Sequence, residues 1–443
     1  MGAVLGTILT FIFVFGILVF VHEFGHFFMA KLVGIRVEVF SWGYGKRLFG
    51  VKKGDTDYRV SLIPLGGYVR FSGEDIAEEN KKRDTSDFMA KERWKRFLVM
   101  FMGSAMNILL AVFLVVIINM VGVSVSEHLK QKPVIGWIES GSPAEKADLK
   151  VDDELLRIDG KRVNTWSDVE LTVGTRPKKV LSIEVKRGYD TVTVQLLTES
   201  KTRYEMGYAG FTARVFPQIR MIRPHSPAEK AGLLPGDVLK EINGEPAHYF
   251  RFQKIIQENP EKTLVFTIER NGEILDLDVT SQRSGDYGVV GITTMPKSYI
   301  EQYRFFPAIV QSFKENARLA FLVVNFVKDL LTGEASTRQL GGPIEVASFS
   351  YAAIRMGLLT LIWWISFISL QLGIINLFPI PMLDGGQILV LGLEGLIRRD
   401  LSPKVKQAVM QIGFVILIVL FIFVVLNDVV KRLPNGWESL LPW

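Results

Sequence analysis

The chain of 443 residues contains no cysteine. That excludes disulfide frameworks, thiolate nucleophiles and cysteine-based metal sites, and it leaves the compartment open. Histidine is nearly as scarce, with five in all. The net charge of +6 is not gathered into a basic domain with interleaved aromatics. The lysines and arginines lie in short segments beside apolar runs, so a membrane accounts for them and nucleic acid is excluded as a partner. Long apolar runs are missing from the middle of the chain and confined to its two ends.

Four stretches there have roughly the 18 residues needed to cross about 30 Å of hydrocarbon at 1.5 Å per residue. They are Val4 to Val21, Phe97 to Val121, Leu358 to Phe378 and Val409 to Val425. The first has no basic start and no small-residue cleavage site, and reads as a retained span rather than a signal peptide. Lys91, Arg93, Lys95 and Arg96 precede the second, and Arg398, Arg399, Lys404 and Lys406 separate the third from the fourth. Basic flanks stay in the cytoplasm. Both termini and the long loop from about Ser124 to Tyr303 are therefore expected outside, in the periplasm if the membrane is a bacterial inner membrane.

The outer loop contains a repeat. "SPAEKADLKVDDELLRIDG", Ser142 to Gly160, matches "SPAEKAGLLPGDVLKEING", Ser226 to Gly244, as two copies of one small α+β domain would. Each copy has a capping serine, proline at the first helical position, glutamate at the third, then a strand and an Asp-Gly or Asn-Gly turn. The pattern resembles bacterial PDZ domains, which bind extended peptides by strand addition. Asp148 and Asp152 replace Gly232 and Gly236 in the first copy, so its turn geometry is expected to differ. Spacers or steric gates that bind no peptide are an equally weighted alternative.

The expected organisation follows. Residues 1–123 hold two transmembrane helices and a membrane-associated β-region at about 34–71; 124–215 and 216–297 are the two periplasmic PDZ domains. Residues 298–350 form amphipathic helices, lying on the outer membrane surface or packed against the bundle, and 351–443 hold the last two transmembrane helices. In 34–71, "RVEVFSWGYG" and "YRVSLIPLGGYVRF" alternate with period 2 and bend at glycines, so a hairpin or small sheet is predicted there.

The chemistry centres on "HEFGH". His22 and His26, four residues apart on a helix, share one face and are spaced to bind one Zn²⁺ through neutral imidazoles. Glu23 is offset by about a quarter turn, a position from which it reaches a water on the metal as general base. With five histidines in the chain, a chance match is on the order of one in a hundred. A purely structural role would leave the cost of ionisable groups near lipid uncompensated. His128, His225 and His248 are scattered over the outer loop and read as solvated. For a third ligand, "NLFPIPMLDGG" offers Asp384: Pro379 and Pro381 interrupt the helix, and Gly385 and Gly386 free the chain to turn back. A helix cap is the blander reading of Asp384, but its proline-bracketed place at the end of a span, on the same side as His22 and His26, favours a ligand.

Taken together, H-E-x-x-H in the first span, the G-x-G and G-G-Y segments after it and N-x-x-P-x-P-x-L-D-G-G in a later span resemble the site-2 protease family of intramembrane zinc metalloproteases. "GSAMNILLA" and "LGGPIEVA" extend the likeness over nearly the whole chain. The resemblance implies one zinc on His22, His26 and Asp384, activation of water by Glu23, and substrate contacts from Asn376, Asn107, Gly43, Gly45, Gly66 and Gly67. Gln371 stands where the family's pattern suggests asparagine, which leaves its role open. The implied substrates are single-pass membrane proteins, an anti-sigma factor trimmed on its outer side and leftover signal peptides, in contact with membrane lipid. The active site would lie toward the cytoplasm. The strand-like segment from Arg36 to Tyr68 offers an edge for an unwound substrate, and prolines at Val37 to Phe40 or Val60 to Ile63 are expected to impair cleavage. A membrane-anchored PDZ scaffold without catalysis is the alternative, and Glu23→Gln discriminates. A transporter is disfavoured because the spans show no repeat.

Overall fold

A computed structural model describes residues 2–74 and 84–433. Met1 and residues 434–443, the termini expected on the outer side, lie outside the described residues. The chain forms two compact units. One takes in the residues up to 121, 302–331 and from 340 onward, and the other residues 122–301 and 332–339.

The first unit is helical: α1 Gly2–Leu32, α2 Arg93–Val121, α3 Phe305–Leu331, α4 Pro343–Met356, α5 Leu358–Asn376, α6 Asp384–Leu396 and α7 Pro403–Val430. Among the described residues α1, α2, α5 and α7 are long and apolar enough to cross a membrane. Helices apolar on every side belong in lipid or in a large core, and exposed Phe13, Phe414, Val415 and Phe421 favour lipid here. Small residues let the helices approach closely. A Cβ on Gly25 of α1 would meet the Met102 carbonyl of α2 at 2.4 Å, and one on Gly373 of α5 the Ser104 carbonyl at 2.9 Å. Ser366 and Ser369 of α5 donate to the carbonyls of Ala111 and Asn107, at 3.0 and 2.8 Å. Within residues 308–333 the chain forms one continuous helix, α3, that packs along α2, with Ser312 donating to the Val112 carbonyl at 2.7 Å.

Between α1 and α2 lie strands β1 Val37–Lys53 and β2 Thr56–Phe71. Both bend, so Phe40 neighbours Val69 and Tyr58, Trp42 neighbours Gly67 and Val60, and Phe49 pairs with Val60. The outer edges are therefore Gly67 to Phe71 and Arg47 to Lys53. Phe40 and Val60, within the two segments chosen above for proline substitution, are interior. The sheet runs beside α1: Phe40 packs on Phe20 and Phe27, with centroids 5.7 and 5.0 Å apart, and the Trp42 ring lies against Gly16. Non-helical backbone persists at such a place only where protein groups satisfy it. Thr56 and Ser41 do so, donating to the carbonyls of Val37 and Gly43.

In the second unit each repeat has its own sheet and core, with Trp166, Leu155 and Ile183 in the first and Phe252, Phe266 and Leu239 in the second. Ser142 and Ser226 cap short helices Pro143–Lys146 and Pro227–Lys230. The expected difference in turn geometry does not occur. Asp148 and Asp152 adopt φ of 57° and 72° where Gly232 and Gly236 have 79° and 99°, because aspartate tolerates the left-handed region better than most side chains. Both repeats also pair an arginine with a buried aspartate, Arg187 with Asp153 and Arg270 with Asp237. Burial alone would raise the carboxyl pKa of Asp153, but the Arg187 hydrogen bond and the Lys150 amide hold it below its ordinary value. His248, read from sequence as solvated, is instead buried: it stacks on Trp137 and its Nε2 lies 2.8 Å from the Ala213 carbonyl.

Candidate metal centre

His22 and His26 share the inner face of α1 and are both buried. The Nδ1 of His26 donates to the Val99 carbonyl of α2 at 2.8 Å, which directs the Nε2 lone pair away from that helix. The Nδ1 of His22 lies 3.5 Å from the side-chain amide of Asn107. The Oδ1 of Asn107 is buried and has no other partner among the described residues, so turning the amide brings it to Nδ1 and holds the imidazole proton there.

The third group arrives from the far end of the chain. Met382 takes a left-handed φ of 80°, and a Cβ on Gly385 or Gly386 would strike the Leu377 or Ile380 carbonyl at 2.2 Å. This tight turn sets Asp384 at the first position of α6, facing α1. Ser104 of α2 donates to its Oδ2 at 3.0 Å.

The three groups meet at one point. Nε2 of His22 and Nε2 of His26 are 3.1 Å apart, His22 Nε2 is 3.4 Å from Asp384 Oδ2, and His26 Nε2 is 3.4 Å from Asp384 Oδ1. A tetrahedron with zinc–ligand distances of 2.0–2.1 Å has edges of about 3.3 Å. Spacing, donor set and burial fit zinc, and the outward partners of both imidazoles leave the inward nitrogens as acceptors.

Glu23 sits on the adjacent face of α1. The sheet edge lies against it: Gly67 approaches so closely that a Cβ would lie 3.4 Å from Glu23 Cγ. Of the other residues singled out by sequence, Asn107 joins the cluster through His22 and Gly67 adjoins Glu23. Gly66 carries the Tyr44 ring, while Gly43 and Gly45 make the left-handed bend of β1. Asn376 ends α5, half-buried, and among the described residues no hydrogen bond ties it to the triad. Sequence reasoning passed over Ser104, the Val99 carbonyl and Gly103, where a Cβ would collide with His26 Nε2 at 2.3 Å. The small pair Gly103-Ser104 inside an apolar span was the available signal.

The model of Peptidase family M50 matches residues 10–420. The Regulator of sigma E protease of Salmonella typhi is 32% identical over 458 residues, covering 97% of this chain and 99% of its own. The Regulator of sigma-E protease RseP of Escherichia coli is 32% identical over 445 residues, covering 95% and 97%. A Vibrio cholerae relative with zinc metalloprotease in its name is 30% identical over 453 residues, covering 97% and 99%.

Proposed function

The chain belongs to peptidase family M50 and is a protease, and we propose that it cuts single-pass membrane proteins within the bilayer as a zinc endopeptidase of the site-2 type. The observation that carries this reading is the convergence of His22, His26 and Asp384 to zinc spacing, beside Glu23 and one edge of a sheet that lies along α1.

A zinc ion on those three side chains supplies Lewis-acid polarisation of the scissile carbonyl and of water. Glu23 takes the proton from the attacking water and returns it to the departing amine. A helical substrate hides its carbonyls in its own hydrogen bonds and must be unwound first. The edge Gly67 to Phe71 lies where an extended substrate would present its backbone to Glu23. Asn376 and Asn107 complete the substrate pocket in this reading, with Gly43, Gly45 and Gly66 shaping the bend beside it.

The two repeats act as outer PDZ modules that admit trimmed substrates. In the first, an apolar groove of about 590 Å³ lies between helix Trp166–Gly174 and residues 206–212, lined by Trp166, Val169, Val173 and Phe211. The substrate class is an anti-sigma factor, with remnant signal peptides as a second, in a bacterial inner membrane whose outer side carries the repeats. The test pairs metal analysis of the purified full chain with cleavage of a single-span substrate in vesicles. Zinc near one per chain in both proteins, with cleavage by wild type and none by Glu23→Gln, is expected. Cleavage by Glu23→Gln overturns the reading.

A further inference from the structure

Resting on the proteolytic reading above, we propose that a cavity between α2, α6 and α7 is the pocket that selects substrates. It takes one apolar side chain, of leucine to phenylalanine size, from within four residues of the bond that is cut. The cavity holds about 150 Å³, and Phe88, Met89, Val390, Leu391, Val409 and Met410 form its walls. An apolar cavity of about that volume accommodates a group the size of benzene.

Both sides of its mouth belong to the site already described. On one side is the turn that carries Asp384, where Pro381 and Gly386 line the cavity, followed by Gln387, Leu391 and Glu394 of α6. Steps of three, seven and ten residues keep these last three on the Asp384 side of the helix, within about 80°, and the first is only about 4.5 Å along the axis. On the other side is the sheet. The Phe71 ring stacks on Phe88, with centroids 5.2 Å apart and planes within 13°, and the Ser72 carbonyl accepts the Phe88 N–H at 2.8 Å. The edge from Gly67 to Phe71 therefore leads from Glu23 to the cavity wall. An extended chain advances about 3.3 Å per residue, so this edge covers about 13 Å, which sets the four-residue limit. Glu74, also at the cavity, accepts the Phe71 N–H at 3.2 Å. That amide is taken from pairing with a further strand, and a substrate leaves the edge there.

The floor restricts what enters. Glu394 is fully buried, and its Oε1 accepts from Lys406 Nζ at 2.6 Å and from the Leu401 N–H at 2.8 Å. Arg96 of α2, also buried, lines the cavity with them. A charged substrate side chain would lose its water against the apolar walls, a cost that an apolar one escapes. Lipid tails are as apolar as these walls, so selection comes from how well a side chain fills the space.

The test is cleavage by the full-length protein, in vesicles, of single-span substrates carrying alanine, leucine, phenylalanine or aspartate in turn at each of four positions on either side of the bond. At one position leucine or phenylalanine should exceed alanine by about tenfold in kcat/KM, the scale of discrimination in apolar pockets, and aspartate should fall below alanine. Val390→Phe, which fills the cavity, should abolish that preference. Met410→Ala, which enlarges it, should move the preference from leucine toward phenylalanine, and both variants should bind zinc as wild type does. Absence of such a position in wild type, a preference unaltered in both variants, or an equal loss on every substrate would each overturn the proposal and leave the cavity to lipid or packing. If Val390→Phe lacks zinc, Met410→Ala decides by the same criteria. Glu23→Gln assayed alongside keeps the two readings apart: cleavage by that variant defeats the protease reading, whereas its inactivity together with an unaltered preference in the cavity variants defeats only the pocket.

Discussion

Replacing Ser104 by alanine tests the metal centre through a residue that holds no metal. Its hydroxyl is fully buried and donates to Asp384 Oδ2 at 3.0 Å. A hydrogen bond to a charged group contributes about 1.5–3 kcal/mol, and about 1.4 kcal/mol is a factor of ten in an equilibrium constant. Ser104→Ala should therefore weaken zinc binding by roughly ten- to a hundredfold, the range typical for partners of metal ligands. The assay is chelator competition on the detergent-solubilised full chain, with metal counted after dialysis. Ser366→Ala is the control, because it removes an equally buried hydroxyl, bonded to the Ala111 carbonyl at 3.0 Å, with no link to Asp384. Equal zinc affinity in wild type and Ser104→Ala would refute the assignment of Asp384 as a ligand oriented from α2. Equal weakening by both variants would show a loss of helix packing instead.

Gly103→Ala should be more severe, since the added Cβ would overlap His26 Nε2 at 2.3 Å; metal analysis showing full zinc would contradict the packing described. His248 yields a pH dependence in the second unit. Burial, with Arg214 and His128 nearby, lowers its pKa below 6.5 against the opposing bond to the Ala213 carbonyl. The unfolded chain then takes up the proton first as pH falls, so this stability is complete above about pH 7 and declines below about 6.5, by at most ~1.4 kcal/mol per pH unit. His248→Gln should flatten that decline in thermal melts between pH 8 and 5, and an unchanged slope would exclude His248 as its source. Asp428 of α7 accepts from the amides of Gly342, Ile344 and Glu345 at 2.9–3.1 Å and pairs with fully buried Lys431. Asp428→Ala should cost about 3–5 kcal/mol by stranding that charge, read as a lower melting temperature without loss of zinc per folded chain.

Much of the site was legible along the chain because helical period is local. Four-residue spacing places His22 and His26 on one face wherever α1 goes, and prolines with paired glycines mark the turn that carries Asp384. Partners of these groups were not legible. Ser104, the Val99 carbonyl and the clearance at Gly103 exist only through the approach of α2 to α1 and α6, across sequence separations that no local pattern encodes. The same holds for the sheet. Alternation predicted strands in 34–71, but which edge faces Glu23 depends on β1 and β2 bending so that Phe40 and Trp42 gain neighbours on both sides.

In the outer repeats, substitution of aspartate for glycine suggested a different turn, yet the backbone is conserved in shape because the surrounding sheet imposes it and aspartate accepts it at modest cost. His248 was misread for a related reason: hydrophilic surroundings in sequence say nothing of the Trp137 ring and Ala213 carbonyl brought to it from the first repeat. By itself the sequence determined the spans, the repeat and the identities of the groups able to hold zinc, since length, hydropathy and period act over a few residues. Tertiary structure alone decided how those groups are aimed and which backbone edge lies beside Glu23. Aim depends on close packing between distant segments, and an ångström or two there separates a ligand from a bystander.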